Sequence, residues 1–404
     1  MKNGAFIVLG VLLCTLVDAS ADNRKGEMPP NGEHVASEIT FKKTVLTTEF
    51  ISEGVAVGDV NNDGVMDIIA GARWFEGPDW TAHDIYPEDR VFDGTKGYSN
   101  SMLNFTIDVD QDGWTDYIRV DFPGKEIWWY ENPAGGDGYW KEHIICLYNG
   151  NESPLFVDVD GDGRKDILCA DSKSKEMVWY RCPWNEGDKQ WRRYVIGADG
   201  SPGTNIFSHG LGFGDVNGDG RNDVLITEGW WEAPQTPYES PWKFHPADLG
   251  EAAAQMYVLD VNQDGLPDVV SSSAHQFGMW WHEQGRDTNG NATWTTHEIS
   301  HEYSQTHALS LVDMDGDGDL DLLTGMRYFA HMGKDRGEQR EPTIFWMEFT
   351  PGTQPKWQLH VIDTDSGVGL NNVVEDVNGD SLLDIVVANK KGVFYFEQIP
   401  SGKQ

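Results

Sequence analysis

The sequence predicts an all-β fold: a seven-bladed β-propeller with four-stranded blades, closed by its own N-terminal strand. Three observations lead there. An acidic nine-residue loop recurs seven times in phase along 404 residues. Each loop is bounded by short apolar runs and followed by an aromatic run. The last repeat lacks a final strand, and a segment near the start has the pattern to supply it.

Aligned on their first aspartate, the loops begin at Asp59, Asp108, Asp158, Asp215, Asp260, Asp313 and Asp376, with spacings of 49, 50, 57, 45, 53 and 63 residues. Such a period points to a propeller or solenoid rather than to several unrelated domains. An apolar run such as HGLGFGDV enters each loop, and a β-branched run such as DVLITEG leaves it. An aromatic run follows (IWWYENP, VWYRCP, MWWHEQ). Last comes a W-x-x-H segment (WKEHII, WTTHEI, WQLHVI), which reads WRRYVI in the third repeat. Runs of this length between turn residues are strands, and four-stranded units set around an axis make a propeller. The seventh repeat stops at GVFYFEQIP, while FKKTVL at 41–46 has the phase of WQLHVI. That strand is expected to complete the last blade and remove an exposed edge.

The propeller is therefore expected over 41–404, after a signal peptide at 1–21 and a flexible leader at 22–40. The signal consists of Lys2, an apolar run at 5–17 and the small residues Ala19, Ser20 and Ala21. It implies a secreted or periplasmic protein. A lipoprotein anchor at Cys14 is disfavoured by bulky Leu13, and no later segment is long enough to span a bilayer. With 30 basic and 66 acidic residues the formal charge is -36, which disfavours nucleic acid and anionic membrane surfaces as partners and favours bound cations. The mature cysteines are Cys146, Cys169 and Cys182; the odd number leaves one thiol unpaired, and Cys169 and Cys182 fall in neighbouring strands where they could pair.

The loop consensus is D-x-[DN]-x-D-[G/S]-x-x-D. Positions one, three, five and nine are Asp59, Asn61, Asp63 and Asp67 in the first loop, and Asp108, Asp110, Asp112 and Asp116 in the second. They are Asp158, Asp160, Asp162 and Asp166 in the third, Asp215, Asn217, Asp219 and Asp223 in the fourth. The fifth has Asp260, Asn262, Asp264 and Asp268, the sixth Asp313, Asp315, Asp317 and Asp321, the seventh Asp376, Asn378, Asp380 and Asp384. Alternate carboxylates fold onto one centre, and glycine allows the sharp turn. So many oxygens suit a hard cation, so up to seven structural Ca²⁺ ions are expected. The alternative is a set of hydrogen-bonded Asx turns without metal, above all in the seventh loop, where Ser381 replaces glycine.

If the acidic loops share one face, the opposite rim carries what does not repeat. Six residues before each loop stand Glu53, Met102, Glu152, His209, Ala254, His307 and Leu370. Five after it stand Ala72, Asp121, Asp171, Glu228, Ser273, Met326 and Asn389, with Arg73, His275, Arg327, His331 and Lys390 close by. His83, His143, His245, His297 and His360 share the W-x-x-H slot and are architectural. His209, His275 and His307 are not, and three neutral imidazoles meeting at the channel mouth could hold Zn²⁺ or a similar divalent ion. They could also act directly as acid and base, or each merely hydrogen-bond within its own loop.

The loop motif resembles the FG-GAP/VCBS repeat family, in which such loops join the first two strands of propeller blades. The aromatic third strand and the W-x-x-H slot look similar to the propeller of aldos-2-ulose dehydratases and related secreted sugar lyases. That resemblance implies metal-assisted β-elimination or dehydration on a keto-sugar or uronate-type unit. His209, His275 and His307 would hold the metal, Glu152, Glu228 or Tyr98 would move the proton, and Arg73, Asp121, Asp171, Arg327, His331 and Lys390 would bind substrate. The competing expectations are a non-catalytic propeller that binds glycan or protein through the same face, and a purely structural adhesion module.

Overall fold

The computed structural model describes residues 39–87 and 91–400. The expected signal peptide and all but the last two residues of the expected leader lie outside the described residues. The strand begins at Thr40, with Ile39 already packed on the core, so the ordered fold starts slightly before 41.

Regular structure among the described residues consists of twenty-eight strands in antiparallel meanders of four. In the third sheet the strands are Leu155–Val157, Asp166–Asp171, Glu176–Arg181 and Arg192–Gly197, with Phe156 opposite Ile167 and Leu168 opposite Trp179. The second and third strands of a sheet read as continuous apolar runs because neighbouring sheets cover both their faces. The fourth alternates exposed and covered residues because it lies at the outer edge. Apolar layers fill the space between consecutive meanders. Ile118 and Trp129 pack with Ile167 and Val178, and Leu168 and Trp179 pack with Val224 and Trp231. The layer of Ile68, Phe75, Val386 and Tyr395 joins first sheet to last and closes the circle. The chain is an all-β propeller with four-stranded blades.

Closure comes from the strand Thr40–Thr47, which pairs antiparallel with Gly392–Ile399 and sets Thr44 opposite Tyr395. The expectation of seven separate blades needs correction. Five four-stranded sheets stand apart, and the meanders at 211–246 and 255–304 form one eight-stranded sheet. Their inner strands pair in parallel, Leu211 with Gln255 and Gly212 with Met256. Gly212 permits the approach, since a Cβ there would meet Met256 O at 2.7 Å and Met256 Cβ at 2.9 Å.

The W-x-x-H histidines stack on the third-strand tryptophan and meet the glutamate two residues beyond it. His143 lies 4.2 Å from the Trp129 ring, with Nε2 2.7 Å from Glu131 Oε2. His83, His245, His297 and His360 repeat this on Glu76, Glu232, Glu283 and Glu348, each at 2.7 Å. The cysteine expectation changes as well. The register sets Cys169 opposite Val178 and carries Cys182 past the strand end, where Arg164 Nη2 lies 3.2 Å from its sulfur. Cys169 meets Cys146 of the preceding sheet instead; all three are buried free thiols.

A chain beginning at Thr48 would leave Gly392–Ile399 as a bare edge. It is expected to elute as aggregates in size-exclusion chromatography; a monodisperse monomer with unchanged melting temperature would show that the closing strand is dispensable.

Candidate functional site

At the hub, on the rim opposite the acidic loops, lies a cavity of ≈340 Å³. It is lined by Glu152, His209, His275, Arg327 and His331 and by Tyr98, Met102, Phe122 and Phe207, with the Tyr98 ring 6.1 Å from that of His331. A larger depression of ≈530 Å³ beside Trp281, Glu283 and His297 is lined by the repeating His–Glu pair, so the hub cavity is the candidate site.

Backbone contacts between neighbouring inner segments place the polar wall. Asn151 bridges Ser208 in parallel, and the Glu152 amide donates to Ser208 O at 3.1 Å, which brings Glu152 beside His209. Arg327 is set by a similar bridge to Val368. His209 Nε2 lies 2.7 Å from His275 Nε2 and 3.2 Å from Glu152 Oε2. The same carboxylate oxygen lies 3.2 Å from His307 Nε2. Asp335 Oδ2 stands 3.1 Å from His275 Nδ1 and 2.5 Å from His331 Nδ1. A carboxylate accepts from an imidazole N–H, so Asp335 favours the His275 tautomer protonated at Nδ1, whose Nε2 faces His209. Arg327 is tied to Glu53 at 3.1 Å, both almost fully buried. Lys390 sits 4.6 Å above the Tyr98 ring and donates to the carbonyls of Phe329 and Ala330.

Burial dominates the electrostatics. It pushes the His307 imidazole down to about 3 and the Tyr98 phenol up to about 12. Burial also opposes ionisation of Glu152, but the bonds from His209 and His307 outweigh it and hold the carboxyl well below the usual range. His275 is lowered by burial and then by neighbouring His209.

Of the residues singled out from the sequence, Tyr98, Glu152, His209, His275, Arg327 and His331 therefore meet at one cavity, and Lys390 supports Tyr98. His307 departs from its expected place: it is fully enclosed behind Glu152, and the donor sets within 4.8 Å of one another at the cavity are Glu152, His209 and His275, and His275, His331 and Asp335. Glu228 pairs with Thr227, Arg73 with Glu49, Asp171 with Arg193, and Asp121 lies beside Arg119; none lines the cavity. For Asp121 the cause is the two-residue period of a strand: a step of one changes the face, and Phe122 lines the cavity in its place. Arg327 and Lys390, both singled out from the sequence, stand at the register of Phe122, whereas Arg73, at that same register, turns to Glu49. Asp335 and Phe207 escaped the sequence reading. Both lie in the longest repeats, spaced 63 and 57 residues, and that extra length was the available signal.

Among the acidic loops, the ninth-position aspartate is a clip in every repeat. Asp116 accepts the Val109 amide at 3.0 Å and the Asn132 amide at 2.8 Å, one on each oxygen, and Asp67, Asp166, Asp223, Asp268, Asp321 and Asp384 do the same. The first-position aspartate accepts amides of the turn, as Asp59 does from Asp63 and Gly64. Both groups keep lone pairs for a cation. Carboxylate oxygens of Asp108, Asp110 and Asp116 lie within 4.8 Å of one another, as do those of Asp313, Asp315 and Asp321, and Asp110 Oδ1 is buried without a protein partner. This donor set fits a hard divalent ion.

Fold and loops together define a class, the β-propeller whose blades carry an acidic turn between first and second strands. The chain carries FG-GAP repeats: residues 108–169, 158–226 and 260–324 match the FG-GAP-like repeat, and residues 53–78 match the FG-GAP repeat. No curated protein matches this chain. Among solved structures it is similar to an Agrocybe aegerita lectin described as recognising non-reducing terminal N-acetylglucosamine, with 17% identity, TM-score 0.43, and 81% of this chain and 82% of that one covered. It is also similar to the V. cholerae biofilm matrix protein Bap1, with 12% identity, TM-score 0.44, and 91% and 92% covered. Neither is described as a lyase or dehydratase, and no ligand is carried over from either.

Glu53→Ala strands a buried guanidinium. It is expected to cost about 3–5 kcal/mol in urea denaturation, with the double variant Glu53→Ala/Arg327→Leu costing clearly less than Glu53→Ala alone.

Proposed function

We propose that this chain is a secreted or periplasmic ligand-binding propeller, its eight-stranded sheet serving as two adjoining wedges, that seats a glycan unit in the hub cavity. A divalent ion such as Zn²⁺, held by Glu152, His209 and His275, would coordinate ligand oxygens. The observation that carries this is the convergence of those three donors on a cavity that the aromatic rings of Tyr98, Phe122 and Phe207 also line. Aromatic faces stack on the C–H faces of a sugar ring while a few placed polar groups orient its hydroxyls. Asp335 behind His275 supplies the outer support that metal-binding imidazoles use.

A second reading, metal-assisted β-elimination on a keto-sugar or uronate unit, is favoured by one observation. Tyr98 shares the cavity and keeps its proton at neutral pH, so it could act as an acid. Against it, Glu228 lies outside the cavity, His307 is enclosed, and Glu152 is engaged by two imidazoles. Binding is the better-supported function.

The test combines metal analysis with calorimetry against a panel of glycans. His209→Ala and His275→Ala are each expected to lose one bound transition metal per chain and weaken glycan binding at least about tenfold, or about 1.4 kcal/mol. Full affinity in both variants would refute the site. Release of unsaturated sugar by the wild type, abolished in Tyr98→Phe, would move the assignment to the lyase.

We also propose that the acidic loops hold Ca²⁺. Burial first, then neighbouring loop carboxylates, raises Asp67 and Asp268 to about 6, Asp116, Asp223 and Asp321 to about 7, and Asp166 to about 8. In the unfolded chain such groups titrate near about 3.9. The folded chain thus keeps protons that the unfolded one releases, a contribution complete below about pH 4 and lost as pH rises through about 6–8. With chelator the melting temperature is expected to fall between pH 5 and pH 8 (roughly this window), and calcium should remove most of the fall. Equal profiles with and without calcium would count against loop binding.

A further inference from the structure

In five strand sets a third-strand glutamate, two residues beyond the stacked tryptophan, meets the W-x-x-H histidine. The third sheet breaks both positions together. In the second sheet Glu131 faces Lys141 and Trp129 faces His143; in the third, Arg181 faces Arg192 and Trp179 faces Tyr194. Arginine and tyrosine thus replace the glutamate–histidine pair.

Arg181 then turns into its own acidic loop. Its Nε lies 2.5 Å from Asp160 Oδ2 and its Nη2 2.7 Å from Asp162 Oδ2. Tyr238, from the following meander, donates its hydroxyl to the same Asp160 oxygen at 2.7 Å. The rings of Trp184 and Tyr238 flank the guanidinium at 5.4 and 5.9 Å. The Asp160 side chain is 1% exposed and that of Arg181 17%, so little water screens the contact. A planar guanidinium forked across two carboxylates and flanked by aromatic rings is a rigid, strong arrangement.

Among the described residues the other loops lack this. In the first and fifth, Asn61 and Asn262 bond to Asp63 and Asp264 and to the third-strand glutamates Glu76 and Glu283, with no base among these contacts. In the second, Lys189 makes a single 3.1 Å contact to Asp110 from a 38% exposed side chain. In the fourth, Arg221 reaches only Asp219, from a 36% exposed side chain.

We propose that the third loop carries its own cation: Arg181 takes the place a divalent ion has in the other loops, and residues 158–166 bind no calcium. This rests on the calcium reading of the loops given above. Oxygens of Asp158, Asp160 and Asp166 do lie within 4.8 Å of one another. A calcium ion there would have to displace the guanidinium or lie beside it, leaving two positive charges within a few ångströms of each other.

The test is calcium stoichiometry by native mass spectrometry, with thermal melts in chelator. Arg181→Glu/Tyr194→His, which recreates the arrangement of the other sheets, is expected to bind one more calcium per chain than wild type. In chelator it should melt clearly below wild type, with calcium restoring most of the loss. An unchanged count in a folded variant would overturn the proposal. Single changes in the wild-type background give a second measure. Asp158→Asn should leave the count unchanged, whereas Asp260→Asn should lower it by one; a lower count in Asp158→Asn would equally overturn it. Wild type that binds no calcium at all would instead remove the underlying loop reading.

Discussion

The buried aspartate at the ninth loop position is the contact on which the blades depend. With one oxygen on the amide entering its loop and the other on the amide just past the third strand, it fixes two chain reversals with one side chain. Such bonds to a carboxylate are stronger than neutral ones, and the amides they satisfy would otherwise be buried without partners. The clip also sets the electrostatic problem of that face. Burial and neighbouring carboxylates make its charge costly, and a cation nearby is the natural relief.

A regular frame makes an irregular centre possible. Each meander delivers one short segment to the hub from the same height, so single differences among those segments come together. Glu152, His209 and His307 are distant in sequence, yet one oxygen of Glu152 lies 3.2 Å from both imidazoles. Apolar layers between sheets hold this convergence. Core side chains such as Trp129 and Trp179 have no exposed surface, so rotating one wedge would open voids on both of its sides.

Glu152 and Arg327 show how an acidic hub is kept in order. Arg327 is matched by Glu53 in a nearly dry pair, and Glu152 is matched by two imidazoles. Beside them the cavity is lined by His275, His331 and the contiguous rings of Tyr98, Phe122 and Phe207.

Repetition was legible in the chain, because an alternating acidic turn, a β-branched run and an aromatic run each have a local physical cause. The closing strand at Thr40–Thr47, the structural role of the W-x-x-H histidines and the nearness of His209 to His275 follow from the sequence, whereas the third donor beside them is Glu152 and not the expected His307. What one chain could not disclose is which face of a strand end turns to the hub, since a one-residue step separates Asp121 from Phe122. Nor could it disclose that Gly212 lets two meanders fuse, that Asp335 returns from a long insertion to orient His275, or that Arg181 folds back into its own loop. Those outcomes are settled by distances between residues far apart in sequence, and only the closed packing of the sheets sets them.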